Sequence, residues 1–275
     1  MKDRSNYREH AAGWLAEARD ALVSVFFPAC CRTCDRLLTR ASRAPICVDC
    51  LESFRPLSGK LCEICGRPIP TGEGNSSPAG MEVLRCALCR ARPGQEESLY
   101  SFNLARNYAS YEGVLVRAIL LLKFERMEPL GEWFSERLAD LVRREALAAD
   151  VVVPVPLHRE RERERGYNQA DLIAKPLARR LKLPHGAVLL VRTRPRPDKH
   201  ILSLEERWES VRGAFATRAG SMVDNLRFLL VDDVMTTGAT LDACARVLRE
   251  AGAKSVIALT VARALRNPIR DPREP

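Results

Sequence analysis

Two stretches of this 275-residue chain carry side chains whose types and spacing could do chemistry. The first is FLLVDDVMTTGAT, Phe228 to Thr240. An apolar run delivers two adjacent acids, Asp232 and Asp233, and a turn of small residues then opens a helix. Consecutive backbone amides at a helix N-terminus, with Gly238 allowing close approach, form a cradle for a phosphate monoester. The hydroxyls of Thr236, Thr237 and Thr240 add donors, and Met235 and Ala239 complete the turn. Acids at a strand's end lie where open α/β sheets bind ligands, and they can accept hydrogen bonds from sugar hydroxyls. An ordinary strand-to-helix turn with a capping Thr would need neither the paired acids nor so many small residues in succession. No GxxxxGK[ST] occurs, which excludes a Walker loop.

The second stretch holds nine of the ten cysteines within the first 89 residues. Four CxxC pairs follow one another: Cys31 with Cys34, Cys47 with Cys50, Cys62 with Cys65, and Cys86 with Cys89. Each such turn brings two thiolates onto one cation, and two turns complete a tetrahedral site. Redox CxxC motifs usually occur once, at a helix N-terminus, so two zinc ions are expected, with iron as the lesser rival. Four cysteine ligands leave no coordination position for substrate, which makes these zincs structural. Sequential pairing gives two zinc ribbons in series, and interleaved pairing satisfies the spacing equally. Cys30 reads as a neighbour of the ligands on spacing, although a Cys30-x3-Cys34 pairing would also reach, and Cys244 as a small buried residue on a helix.

Both stretches need elements to position them. Residues 5–29 show the spacing of an amphipathic helix ended by Pro28. Cys30 to Cys89 lacks long periodic patterns, includes the loop TGEGNSSPAG over 71–80, and cannot build a core without a staple. From Ser98 onward strands and helices alternate: strand 100–108, helices 112–122 and 132–145, strand 151–155, helix 168–181, strands 187–192 and 226–231, helix 240–250 and strand 255–262. That order predicts an α/β fold with a mostly parallel sheet flanked by helices. Gly252 is placed to stop the last helix. The division expected is an N-terminal helix over 1–29, a small double zinc-ribbon domain over 30–95, the α/β domain over 96–265, and a tail over 266–275.

Composition narrows the classes. Hydrophobic residues make up 46% and charged residues 29% of the chain, enough apolar content to exclude a disordered tail protein. No run of 18 residues is free of charge, so no membrane span is expected, and the interrupted N-terminus does not read as a signal peptide. A cytoplasmic location follows as an expectation. The net charge is +9, and of 44 basic residues only seven are lysines. Arginine suits bidentate capture of phosphate. Residues 1–99 carry 14 basic and 12 acidic groups, so the excess sits mainly in the α/β half.

The Asp232–Thr240 segment resembles the phosphoribosyl pyrophosphate (PRPP) motif of type I phosphoribosyltransferases. With the CxxC-rich N-terminus, the chain resembles the ComF family of competence-associated proteins over about residues 20–263. FFPACCRTC, the LKF at 122–124, VPVPLHRERERERGYNQA at 153–170, HILSLEERWESVRGAF at 200–215 and VDDVMTTGAT carry the likeness. The resemblance implies the type I phosphoribosyltransferase fold, with Asp232 and Asp233 holding the ribose 2′- and 3′-hydroxyls of PRPP. Met235, Thr236, Thr237, Gly238, Ala239 and Thr240 would cradle its 5′-phosphate. It also implies Mg²⁺ on the pyrophosphate, a pyrophosphate loop after strand 151–155, and a flexible loop over Lys199 to Arg207. Two positions depart from the family pattern: Lys199, where Gln is common, and Ser210, where Asn is common.

The residues themselves add candidates. Arg159 to Glu164 alternates in sign and reads as a solvated helix face. In Arg165-Gly166-Tyr167-Asn168-Gln169, Gly166 breaks that pattern and Asn168 can cap the next helix, which marks a functional turn. Lys123 ends an apolar helix, where it could snorkel or meet phosphate, and His200 could touch phosphate or a base. Three functions compete. A phosphoribosyltransferase would stabilise an oxocarbenium-like C1 as the pyrophosphate bond stretches, choosing its unknown acceptor through a hood built from residues 100–149. A single-stranded-DNA-binding factor working with the competence machinery would use the arginine excess. A non-catalytic sensor would bind PRPP without turnover.

Overall fold

A computed structural model describes residues 29–38, 45–69, 75–76, 82–90, 100–195 and 203–265. Lys199, His200, the tail from 266 and all but the last residue of the helix expected over 5–29 lie outside the described residues. The described strands are β1 (Asn75–Ser76), β2 (Glu82–Val83), β3 (Leu104–Ser110), β4 (Val151–Pro154), β5 (Leu190–Arg192), β6 (Phe215–Thr217), β7 (Arg227–Met235) and β8 (Ser255–Arg263). The helices are α1 (Val48–Glu52), α2 (Gly113–Phe124), α3 (Glu128–Arg144), α4 (Arg159–Arg165), α5 (Gln169–Leu181), α6 (Leu204–Glu209) and α7 (Ala239–Glu250).

The main sheet runs β3-β8-β7-β4, and every pairing in it is parallel. Phe228, Leu229, Leu230 and Val231 on β7 are fully buried, as a central strand covered on both faces requires. One face packs with α2, α3 and α5 through Leu229, Val231, Leu259 and Val261. The other packs with α7 through Phe228, Leu230, Val256 and Ala258. The cysteine-rich segment contributes to both: Cys31, Cys50 and Phe54 join the first core, while Cys62, Cys65, Cys86 and Cys89 join the second. Each knuckle is thus stapled to one face of the sheet.

β4 pairs with β7 only from Val151↔Phe228 to Pro154↔Val231, whereas β8 continues along β7 to Met235↔Arg263. Residues 232–235 therefore overshoot β4 at the carboxyl end of the sheet. The expected strand over 226–231 is longer than predicted, because Asp232, Val234 and Met235 still pair with β8. The strand expected over 100–108 begins instead at Leu104. The Ser101 amide is taken by Asp242 Oδ1 at 2.6 Å, and Tyr100 turns towards Thr237 instead of joining the ladder. Helix α3 starts at Glu128 and not at 132, with Pro129 in its first turn, where a missing N–H costs nothing.

Residues 100–149, the expected hood, supply instead an edge strand and two helices of the main layers. Among the described residues no helix is long and apolar enough to cross a membrane.

Candidate ligand and metal sites

The end of β7 beyond β4 collects groups far apart in sequence. Asp233 is 4% exposed and Asp232 partly buried, and the Asp233 amide donates to Asp232 Oδ1 at 2.8 Å. Lys123, on the last turn of α2, lies 3.5 Å from Asp233 Oδ2. That distance suffices for charge but misses hydrogen-bond geometry, so Oδ2 is a buried acceptor with no hydrogen-bond partner. Such an atom is costly unless a ligand donates to it. Burial, and then the neighbouring charge of Asp233, push Asp232 up to about 8, against the pull of Lys123 and Arg192. A carboxyl poised there can ionise when donors or a cation arrive.

Beyond the acids, Gly238 sits at φ +88° as the residue before α7. A Cβ on Gly238 would stand 2.7 Å from Met235 Cε and 2.9 Å from Tyr100 Cε1. The Ala239 amide donates to Thr237 Oγ1 at 3.2 Å, and Tyr100 donates its hydroxyl proton to the Thr237 carbonyl at 2.9 Å. Arg207 on α6 reaches Thr236 Oγ1 at 3.4 Å, and a Ser203–Glu206 capping box fixes the start of that helix. Trp208 stacks on Tyr100 with centroids 5.9 Å apart. Gly238→Ala should therefore destabilise the chain by about 1–3 kcal/mol through left-handed backbone strain, and should weaken anion binding at the turn. Thermal denaturation and a phosphate titration check both.

The 165–169 turn joins the same neighbourhood. Gly166 closes α4 in the left-handed region. Asn168 caps α5 by accepting from the Ala170 amide at 3.0 Å, and its Nδ2 donates to Val155 O, tying the turn to the end of β4. Arg165 donates to Gln169 Oε1 at 2.6 Å and lies over the ring of Phe124, next to Lys123. Tyr167 accepts from the Arg126 amide. The structure brings Lys123, the turn and the acids together, and links Arg207 to Thr236. Sequence reasoning missed Tyr100, Trp208, Arg192 and Asp242. Only the aromatic character of 100–102 hinted at the first.

The eight paired cysteines form two groups: Cys31, Cys34, Cys47 and Cys50, and Cys62, Cys65, Cys86 and Cys89, each with all sulfurs within 4.8 Å of one another. The grouping is sequential. Sulfurs around tetrahedral zinc sit about 3.8 Å apart, given Zn–S bonds of about 2.3 Å. The contacts Cys34–Cys47 at 3.7 Å, Cys31–Cys50 at 3.8 Å and Cys65–Cys86 at 3.6 Å fit that geometry. The two leading knuckles share a build: the Cys31 amide donates to Arg36 O, as the Cys62 amide does to Arg67 O. Asp35 and Gly66 occupy the same left-handed position. Cys244 is fully buried on α7. Cys34 is exposed, while every cysteine of the second group is buried. A chelator should therefore take zinc from the first group before the second, in two kinetic phases followed by metal-indicator absorbance.

An open parallel sheet with a small-residue turn from its central strand into a helix, stapled to two four-cysteine knuckles, defines a phosphoribosyltransferase-fold protein with a double zinc ribbon. The phosphoribosyl transferase domain family matches residues 169–272, and the double zinc ribbon family matches residues 22–81. The chain is 31% identical over 238 residues to the DNA utilization protein YhgH of Salmonella typhi, covering 83% of this chain and 94% of that one. It is 34% identical over 228 residues to competence protein F of Haemophilus influenzae, covering 79% and 96%. The chain belongs to the ComF family. A glutamine PRPP amidotransferase of Bacillus subtilis overlaps it at 23% identity and TM-score 0.34, over 49% of this chain and 26% of that longer one.

Proposed function

We propose that this chain serves DNA uptake or utilisation, with a site at the end of β7 that binds Mg²⁺–PRPP and with single-stranded DNA as its macromolecular partner. The observation that carries the DNA role is the likeness, over 94% and 96% of their lengths, to proteins named for DNA utilization and competence. The end of β7 supports the ligand. The orphaned Asp233 Oδ2 and the half-buried Asp232 suit the two ribose hydroxyls, and the turn closed by Gly238 suits a phosphate. Lys123, Arg165 and, in the segment that begins α5, Asn168 and Gln169 stand where a pyrophosphate would extend towards β4. Mg²⁺, carried in with PRPP, would neutralise that pyrophosphate.

Zinc enters this reading as the staple for the eight cysteines. Eight thiolates on two Zn²⁺ remove four charges and leave residues 1–99 near −2, so the DNA path belongs on the α/β half. There the basic excess is 30 groups against 23.

Phosphoribosyl transfer is the second reading, favoured by the Arg207–Thr236 contact, which anchors one side of a closing segment on the phosphate turn. In that reading the acids hold the ribose and Lys123 meets the pyrophosphate while the C1–pyrophosphate bond stretches, and closure keeps water from C1. A PRPP sensor would share every contact and lack the acceptor.

Incubation with Mg²⁺–PRPP and a panel of bases and amines, following pyrophosphate, separates transfer from binding alone. Acceptor-dependent release supports the enzyme, and tight binding without release supports the sensor. For DNA, fluorescence titration of a labelled single strand across a salt series should show a log–log slope of several ions, about −0.7 per phosphate contacted. A flat, weak isotherm would count against the DNA role.

A further inference from the structure

Arg263, the last residue of β8, is 1% exposed and is the largest fully buried side chain among the described residues. Its Nε and Nη1 are buried without a hydrogen-bond partner. A guanidinium cannot shed its proton, so burying it demands an anion close by. A second orphaned guanidinium atom, Nε of Arg67, lies on the other side of the same seam. Arg67 Nη1 donates to Leu265 O at 3.0 Å, two residues past Arg263.

The seam between them is made by the second cysteine knuckle. The Cys62 amide donates to Arg67 O at 2.8 Å. Asn107 Nδ2 donates to Cys65 O at 3.2 Å, and Asn107 Oδ1 accepts from Thr260 Oγ1 of β8 at 2.7 Å. Gly66, at φ +64°, permits this contact: a Cβ there would meet Ala105 O and Asn107 Nδ2, each at 2.7 Å. Arg263 pairs with Met235 across the sheet, and Met235 and Tyr100 lie in the same buried cluster as Cys62, Cys65, Cys86 and Cys89.

Four thiolates on Zn²⁺ leave a net charge of −2. In the first group, Cys34 is open to solvent, and water can screen that charge. In the second, all four sulfurs come from buried residues. The buried anion and the buried cation each lack what the other supplies.

We propose that Arg263 is the counter-cation of the second tetrathiolate zinc site, with Arg67 beside it, and that this charge pairing holds the knuckle against β8. The proposal rests on zinc occupying Cys62, Cys65, Cys86 and Cys89, and not on the PRPP reading. Its role is to position and neutralise the metal site from outside the ligand set, as partners beyond the ligands do in other zinc sites.

The test uses the full chain with Arg263→Met and Arg263→Lys, measuring zinc content and the kinetics of zinc transfer to a chromogenic chelator. The wild type should hold two zincs and release them in a fast and a slow phase. In Arg263→Met the slow phase should accelerate about 10–100-fold, with the fast phase unchanged. Arg263→Lys, which keeps the charge but not the planar fork, should lie between and nearer the wild type. Should Arg263→Met fail to fold, Arg263→Gln, which also removes the charge, decides: acceleration of its slow phase supports the pairing, and wild-type kinetics overturn it. Unaltered phases in Arg263→Met would overturn it as well. So would loss of PRPP affinity with both phases intact, which would assign the guanidinium to a ligand phosphate instead. A wild-type chain holding fewer than two zincs would remove the zinc reading and the proposal together.

Discussion

Asp232→Asn combined with Asp233→Asn is expected to abolish Mg²⁺–PRPP binding while leaving two zincs per chain. Both carboxylates stand at the overshooting end of β7, and one buried oxygen, Asp233 Oδ2, has no hydrogen-bond partner of its own. Amides in their place keep the shape but lose the charge that strengthens bonds from sugar hydroxyls. The cysteine groups share no side chain with this pair, so metal content should not change. Calorimetric titration with PRPP, beside zinc analysis of the same preparation, checks both halves. Retained PRPP binding would mean that the site lies elsewhere.

The same acids give a pH signature in stability. Asp232 is pushed up to about 8 from an ordinary 3.8, by burial first and by Asp233 second. The folded state therefore holds this proton more tightly than the unfolded chain does. Its stabilising effect is complete below about pH 4 and is lost as the pH rises through about 8. Asp232→Asn alone should match the wild type in acid and exceed it in stability above pH 8, as read from thermal midpoints.

Stripping the zinc should have the second large effect. Cys31 and Cys50 sit in the core on one sheet face, and the four cysteines of the second group sit in the core on the other. Without metal, eight close thiols lose their common partner, and both cores lose a wall. Structural zinc contributes about 10–16 kcal/mol of apparent binding energy in small zinc peptides, which is comparable to the whole stability of about 5–15 kcal/mol of an ordinary domain. A chelator that empties both sites should lower the melting temperature sharply and render the segment over 45–69 sensitive to protease. Adding Zn²⁺ back should restore both. A chain that melts identically with and without chelator would show that the knuckles stand without metal.

Much of this arrangement was legible in the sequence because its signals are local. The apolar run 228–231, the small-residue turn and the periodic helices each announce their own element, and all three fell close to their expected places. The alternation of helices and strands likewise reads directly as a parallel sheet. What stayed hidden depends on contacts across the chain. Nothing near Lys123 in sequence points to Asp233, 110 residues later, yet the last turn of α2 delivers it there. Tyr100 read as part of a strand until Asp242 took the next amide and left the ring to brace Thr237. The spacing of the CxxC pairs permitted sequential or interleaved grouping, and only packing against opposite faces of the sheet distinguishes them. Arg263 looks like any arginine at a strand's end; its burial is a property of the seam it closes.

The site at the end of β7 is tested most directly by calorimetric titration of the zinc-loaded wild-type chain with Mg²⁺–PRPP at pH 7, in buffers of different ionisation enthalpy. Saturable binding of one PRPP per chain is predicted. It should be accompanied by proton release, because hydroxyl donors favour the carboxylate of Asp232 over the acid that predominates at that pH. Affinity should then rise with pH and level off above about 8. An absence of saturable binding at millimolar PRPP would contradict the assignment of Asp232 and Asp233 to the ribose.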